Sequence, residues 1–345
     1  MLPLSNSRTE FSTLYRAWWR VHGLPPSHPQ AWVREAVPRT PMPDDMLMPD
    51  VVIKSIMRAT RRADIAQRAY TNNKLLLDQD DPLTHPLSQR CDVTQTKNLV
   101  QAALSAFSEP VAEKIARILS LPSLIVQQEG PSGAWCYNAT ETRPLGQIYL
   151  SRDLTLNDPI YLGHEAGHMM ANHFALEETR EYWESMAPKN IAEIPAFVTQ
   201  FMMYDYLCHR PDMALDCTRH FINDVCHMVY EHQIASSPCD VHFPELEAKE
   251  ERSYQQSKAS LHVHSSQMII AAGLYYSNAI KEPGVFDAVF KSGAKTDILK
   301  ILEAADITNA TQLDDFCDVA VAKCLAPLLS VPPMRPQQDV ICTPH

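Results

Sequence analysis

Two histidines four residues apart, His164 and His168, constrain how this chain of 345 residues can fold more than any other feature. They lie in the stretch YLGHEAGHMMANHF, residues 161–174. Residues four apart share one face of an α-helix, so a helix here places both imidazoles one turn apart. A helix start is marked just upstream by an Asn-Asp pair followed by Pro159, because proline is tolerated at the first helical position. The sequence therefore predicts a helix that displays two histidines side by side.

The pattern H-E-x-x-H has a chemical meaning when it lies on a helix. The two imidazoles suit two positions of a tetrahedral zinc, and Glu165 is angled beside the metal, where it can take a proton from water. Zinc lowers the pKa of such a water to about 7. No cysteine lies near 164–168, which favours a catalytic site with three protein ligands over a structural site with four. The alternative is two surface or hydrogen-bonded histidines on an amphipathic helix, since the chain contains 14 histidines.

A third ligand has to come from a nearby carboxylate, and Glu193 is the strongest candidate. It lies in the apolar stretch NIAEIPAFVTQF, just before Pro195, which is tolerated only in the first turn of a helix. Glu193 therefore lies at the positive end of a helix dipole, where a buried carboxylate needs a partner such as a metal. His173 is nine residues past His164 and off the face shared by His164 and His168, so we interpret it as structural or as a hydrogen-bond partner of the ligands. The other candidates lie in a polar stretch and are most simply solvated charges: Glu177, Glu178, Glu181 and Glu184.

Glycine is scarce, and five of the nine glycines fall between residues 130 and 167. Gly167 lies inside the predicted histidine helix, where glycine costs about 1 kcal/mol relative to alanine. A packing reason is therefore expected, and we predict that another backbone comes close to the helix at Gly167.

Charge and composition exclude some classes of partner. The formal net charge is −11, with 41 acidic and 30 basic residues, which argues against a nucleic-acid partner. We identify no secretory signal and no apolar window long enough for a membrane span. The nine cysteines form no C-x-x-C pair and are expected to be reduced thiols. We predict a cytoplasmic protein, or one translocated by a route that needs no signal peptide.

Hydrophobic periodicity predicts a mostly α-helical chain with a small β-sheet or edge strand near 133–152. We divide the chain into a helical N-terminal region with a proline-rich wrap (1–90), a catalytic domain (91–330) and a disordered tail (331–345). The N-terminal region has no assigned role. Further helices are predicted over 93–120 (one or two), 191–209, 211–235, 246–281, 283–292, 296–305 and 312–328.

The segment SGAWCYNATETRPLGQIYLSRDLTLNDPIYLGHEAGHMMANHF resembles the catalytic region of the thimet oligopeptidase and oligoendopeptidase F family of zinc metallopeptidases. That family has a third-ligand glutamate in an E-x-P context about 25 residues after the second histidine. Here IAEIPAF supplies Glu193 at that distance from His168. AGLYYSNAI and FKSGAKTDILKILEAADI are similar to the family's C-terminal helices. The resemblance covers roughly 125–325, and the chain is much shorter than most members.

The resemblance implies a mostly helical, zincin-like gluzincin fold and one zinc ion per chain. Zinc would be held by His164, His168 and Glu193, with Glu165 as the general base. The implied substrate is a peptide or protein whose backbone adds to the edge of the strand near 146–152. The substrate-binding residues predicted there are Gly146, Ile148 and Leu150.

One departure from the family concerns the histidine and tyrosines that stabilise the oxyanion. An ungapped alignment on AAGLYYS puts Ser266, Met268, Ile270, Ala271 and Asn278 at their places. The remaining candidates are His262, His264, Tyr275 and Tyr276, and the two histidines are alternatively buried helix residues. Losing one oxyanion donor typically costs about 10²–10³ in rate.

Three hypotheses about function follow. The first is a zinc-dependent endopeptidase or oligopeptidase, of which an effector-type protease with one protein substrate is a specialised version. The second is a zinc-binding pseudoenzyme that uses the cleft to hold a peptide or partner. The third is a structural helical protein without metal.

Overall fold

The computed structural model describes part of the chain. The described residues are 48–60, 92–105, 107, 109–121, 125–128, 134–137, 147–151, 157–178, 187–221, 224–225, 228–229 and 263–330. Most of the predicted N-terminal wrap and the predicted tail, 331–345, therefore lie outside the described residues.

Helices dominate the described residues, which confirms the predicted fold class. The region 93–120 forms two helices, and Asp92 caps the start of the first by accepting a hydrogen bond from the Gln95 amide at 2.7 Å. The helices are α1 (Asp50–Thr60), α2 (Val93–Leu104), α3 (Glu109–Ser120), α4 (Asn157–Glu178), α5 (Ile194–Cys208), α6 (Ala214–Phe221), α7 (described over 263–276), α8 (Pro283–Phe290), α9 (Ile298–Ala304) and α10 (Ala310–Ser330).

The strands form a three-stranded sheet in the order β1-β3-β2. β1 (Ile125–Gln128) runs parallel to β3 (Gln147–Ser151), and β2 (Ala134–Tyr137) runs antiparallel to β3. The small sheet predicted near 133–152 is present as the antiparallel pair of β2 and β3, but the strand that carries Ile148 and Leu150 was expected at an edge. β3 is central, and β1 was not predicted.

The histidine helix α4 crosses α5 at the centre of the core. All but a few residues of α5 are buried, from Ile194 to Leu207, so the helix has no polar face to present to solvent. The crossing is close at Gly167, as predicted. A Cβ there would lie 2.6 Å from both the Ala196 Cα and the Pro195 carbonyl oxygen, so only glycine fits without movement.

The first and last described helices pack together. Val52 and Ile56 of α1 are fully buried and belong to the same hydrophobic core as α4, α5 and α10. At the rim of this contact Arg58 pairs with Asp314 at 3.2 Å and with Asp318 at 3.0 Å. Residues 48–60 therefore share the core of the predicted catalytic domain.

Candidate metal centre

α4 places His164 and His168 one turn apart, with ring centroids separated by 5.2 Å. Asp158 and Pro159 lie in the first turn of this helix, as the sequence predicted. Both imidazoles are mostly buried, with side-chain exposures of 14% and 21%. The helix thus presents two nitrogen donors towards the same point.

Glu193 completes the group from the N-terminus of α5. Its Oε2 lies 3.2 Å from the Nε2 of His164 and 3.3 Å from the Nε2 of His168. Glu193 is the residue that precedes the first turn, and Pro195 lies within that turn. The two helices therefore bring together the three ligands predicted from the sequence.

The charges of His168 and Glu193 are tightly coupled. Burial by itself would lower the pKa of His168, but the charge and hydrogen bond of Glu193 outweigh it and raise that pKa to about 9. Burial opposes ionisation of Glu193 too, yet the two histidines lower its pKa well below the usual range. The carboxylate is thus held ionised, and at His168 a proton competes with any cation for the ring nitrogen.

The donor set fits a zinc ion. The three ligand atoms lie within 4.8 Å of one another, and among the described residues no other group of three such side chains converges in this way. Two imidazole nitrogens and one carboxylate oxygen form a typical catalytic zinc set, which keeps a fourth position open.

Glu165 lies beside this group, next in sequence to His164, and is 6% exposed. Its charge is close enough to His168 to raise the pKa of that imidazole. The position agrees with the predicted role of a carboxylate next to the ligands rather than among them.

Two buried glutamines hold the ligands in place, and neither was predicted. The Oε1 of Gln267, on α7, accepts a hydrogen bond from the Glu193 amide at 2.7 Å, and its Nε2 donates to the Lys189 carbonyl at 3.1 Å. Gln200 Oε1 lies 2.7 Å from His164 Nδ1. The available signal was a single amide side chain in each of two buried helical stretches that carry no charged residue, FVTQFMM and SSQMIIAA.

The candidate oxyanion residues are not all near the ligands. His264 is exposed and its ring lies 5.2 Å from that of Phe197, which in turn lies 5.2 Å from the ring of His164. Only one aromatic ring therefore separates His264 from a ligand. His262 lies outside the described residues.

The structure does not bring Tyr275 and Tyr276 to the ligand group. The hydroxyl of Tyr275 donates to Asp205 at 3.0 Å, and Asp205 lies twelve residues along α5 from Glu193, roughly 18 Å at 1.5 Å per residue. The ring of Tyr276 packs against Phe201 with centroids 5.6 Å apart. Ser266, Met268 and Ile270, which occupy the family's oxyanion places, are buried.

The predicted substrate-binding strand is also placed differently. Ile148 and Leu150 lie on β3, which pairs with a strand on each side, and both side chains are fully buried. A central strand has no free backbone edge, so a peptide cannot add to β3. Gly146 lies outside the described residues.

Glu177, another candidate carboxylate, contacts residues other than the His164 and His168 group. Glu177 pairs with Lys114 and lies 3.5 Å from the Nε2 of His173. The structure thus places His173 in a pair with Glu177 near the end of α4 and away from the candidate ligands.

Among the described residues, no helix is both long and apolar enough to cross a membrane.

Comparison with solved structures identifies the fold. The chain is similar to a protein assigned as oligoendopeptidase F from Bacillus anthracis strain Ames, with a TM-score of 0.57 and 12% identity over 92% of this chain. It is similar to a protein assigned as a peptidase from Chlamydophila abortus, with a TM-score of 0.54 and 13% identity over 94% of this chain. A third similar structure is PZ peptidase A bound to an inhibitor, with a TM-score of 0.55 and 13% identity over 85% of this chain.

The fold is that of the oligoendopeptidase-like helical peptidases. At these identities the likeness concerns the fold alone, and the chain spans 59–62% of the length of those three structures. No protein-family model matches the sequence, and no curated protein matches it.

Proposed function

We propose that this chain is a zinc-dependent peptidase that cleaves peptide bonds with Glu165 as the general base. The observation that supports the proposal best is the convergence of His164, His168 and Glu193 beside that buried carboxylate. The oligoendopeptidase-like fold supports the same reaction class.

The side chains have distinct roles in this proposal. His164, His168 and Glu193 would hold the ion, which as a Lewis acid makes water nucleophilic near neutral pH and polarises the scissile carbonyl. Glu165 takes the proton of the attacking water and passes it to the leaving amine. His264 is the candidate donor to the developing oxyanion, because it is the described candidate that lies next to the ligand group.

The substrate backbone would add to β2 rather than to β3. β2 pairs with β3 on one side, leaving its other edge unpaired among the described strands, and it packs against α4, the helix that carries the ligands. An extended peptide adds to such an edge through main-chain hydrogen bonds, which does not demand a particular sequence.

A zinc-binding pseudoenzyme is the second candidate, and one observation favours it. Tyr275 is bound to Asp205 and Tyr276 lies against Phe201, so neither tyrosine supplies the hydroxyl that the family uses near the ligands. Such a protein would bind zinc and peptide at the same cleft without cleaving.

The deciding experiment is digestion of a peptide library by the purified protein, with and without a zinc chelator, read by mass spectrometry. Glu165→Gln should keep zinc and lose about 10²–10⁴ in cleavage rate, the usual contribution of a general base. Glu177→Gln, the same substitution on the same helix, should change neither because Glu177 pairs with Lys114.

Glu193→Ala should lose the metal, and unchanged zinc content in that variant would exclude Glu193 as a ligand. Zinc-bound wild-type protein without cleavage would favour the pseudoenzyme. Cleavage by Glu165→Gln at the wild-type rate would remove Glu165 from the mechanism.

A further inference from the structure

A buried hydrogen-bond chain leads from His164 away from the metal centre. The Nδ1 of His164 lies 2.7 Å from Gln200 Oε1, and Gln200 Nε2 donates to the Oδ2 of Asp224 at 2.7 Å. Asp224 is 24 residues beyond Gln200, after the end of α6, and no sequence pattern links the two.

Tyr204, one turn after Gln200 on α5, closes this network. Its hydroxyl accepts from Gln200 Nε2 at 3.2 Å and donates to the same Asp224 oxygen at 2.9 Å. The Nδ1 of His220 lies 3.0 Å from the Tyr204 oxygen, where it can donate. Gln200 is 6% and Tyr204 1% exposed, so little water reaches these bonds.

The donors and acceptors fit together in one orientation of the Gln200 amide. With Nε2 towards Asp224, both of its hydrogens are used, one by the carboxylate and one by the tyrosine oxygen. The reversed amide would place a carbonyl oxygen 2.7 Å from a carboxylate oxygen, and two acceptors at that distance repel each other. The Asp224 carboxylate therefore determines which end of the amide faces His164.

The orientation of the amide in turn determines the tautomer of His164. Because Gln200 Oε1 faces Nδ1, that nitrogen carries a proton, and Nε2, which lies 3.2 Å from Glu193 Oε2, is the nitrogen left to bind a cation. We propose that Asp224 is a positioning residue that acts through the Gln200 amide to hold His164 in its metal-binding tautomer. This inference rests on the proposed zinc site.

A carboxylate at position 200 would not need Asp224. Both of its oxygens are acceptors, so a glutamate there receives the His164 Nδ1–H in either orientation. An amide is ambiguous between its two ends, and the second carboxylate removes that ambiguity. A glutamate at position 200 should therefore make Asp224 dispensable for zinc binding if Asp224 acts by orienting the amide, and should not do so if Asp224 only stabilises the fold.

The experiment measures zinc affinity of the full chain by competition with a chelator. Asp224→Asn is nearly isosteric and presents either a donor or an acceptor to Gln200, so the reversed amide becomes accessible. Loss of an outer-shell partner typically costs 10–100-fold, and we expect zinc affinity to fall about tenfold. Nitrogen NMR of the zinc-bound protein should show the Nδ1–H of His164 hydrogen-bonded in the wild type and that bond lost in Asp224→Asn.

Two variants accompany it. Asp205→Asn is the matched control, since Asp205 also accepts a tyrosine hydroxyl, from Tyr275 at 3.0 Å, yet lies far from the ligands. The exchange Gln200→Glu with Asp224→Asn keeps the net charge and should restore affinity to within about threefold, because the glutamate needs no orienting partner.

The outcomes separate the two proposals. If the wild-type chain binds no zinc, the proposed metal site fails. If it binds zinc and Asp224→Asn binds equally well, or loses affinity that the exchange does not restore, the role of Asp224 is overturned.

Discussion

The close crossing of α4 and α5 makes Gly167→Ala the most informative change to stability. The added Cβ would lie 2.6 Å from two backbone positions of α5, at Pro195 and Ala196. Ordinary van der Waals contact begins at 3.4 Å, so the helices must separate by about 0.8 Å. The Thr199 Oγ1 would lie closer still, at 2.4 Å, and the two backbone atoms cannot be moved away by a side-chain rotation.

Three effects set the size of the loss. Overpacking a core costs about 1–3 kcal/mol, and alanine returns about 1 kcal/mol of helix propensity. Separation also weakens the buried bond from the Thr199 hydroxyl to the Gly163 carbonyl, now 2.8 Å, which contributes about 1 kcal/mol. The last two effects roughly cancel, so we expect the free energy of unfolding to fall by about 1–3 kcal/mol.

Zinc binding should weaken as well, because Glu193 immediately precedes the part of α5 that would be pushed away from His168. The assay is urea unfolding followed by circular dichroism, together with chelator competition for zinc. Two other glycines provide matched controls with the same substitution.

At Gly163 the added Cβ meets the flexible side chain of Met203, so the loss should be smaller. At Gly284, in α8, nothing lies within 4 Å, and alanine should stabilise the protein by up to about 1 kcal/mol. A Gly167→Ala protein as stable as the wild type, with unchanged zinc affinity, would refute the argument from close crossing.

Two further predictions concern side chains away from the ligands. If the His264 ring stabilises the oxyanion, His264→Ala should reduce kcat about 10²-fold or more. Tyr275→Phe should leave kcat unchanged, because the Tyr275 hydroxyl is bound to Asp205. Steady-state kinetics of both variants tests the two expectations. The hydrogen bond between Cys208 and Cys217 lowers the pKa of Cys208 to about 7, so alkylation of Cys208 should rise with pH through that value as the thiolate forms. The pKa of Cys217 is raised, and Cys217 should stay unmodified. Peptide mapping after iodoacetamide treatment measures both rates, and equal labelling of the two cysteines would contradict the expected difference.

The ligand group was predictable because its signals are local. His164 and His168 are fixed by helical spacing, and the Glu-x-Pro pattern places Glu193 at a helix start. Gly167 indicated the close helix crossing because glycine is unfavourable inside a helix, and the helix nevertheless continues past it.

The features that the sequence did not reveal depend on how the strands pair and on how helix α7 is rotated about its axis. β1 has only four residues, IVQQ, and its parallel partner β3 lies more than twenty residues away, so neither the strand nor the central place of β3 has a local signature. The orientation of Tyr275 could not be read because α7 is buried on every side from Ser265 to Leu274, which leaves no polar face to define its rotation.

The contact between α1 and α10 has a consequence for how the chain folds. Arg58 and Asp318 are 260 residues apart in sequence, and the apolar side chains beneath them belong to one core. During synthesis α1 leaves the ribosome long before α10, the last described helix, against which its buried face packs. Such distant contacts slow folding, and the waiting apolar face of α1 is the surface that a chaperone or an aggregating neighbour would meet first.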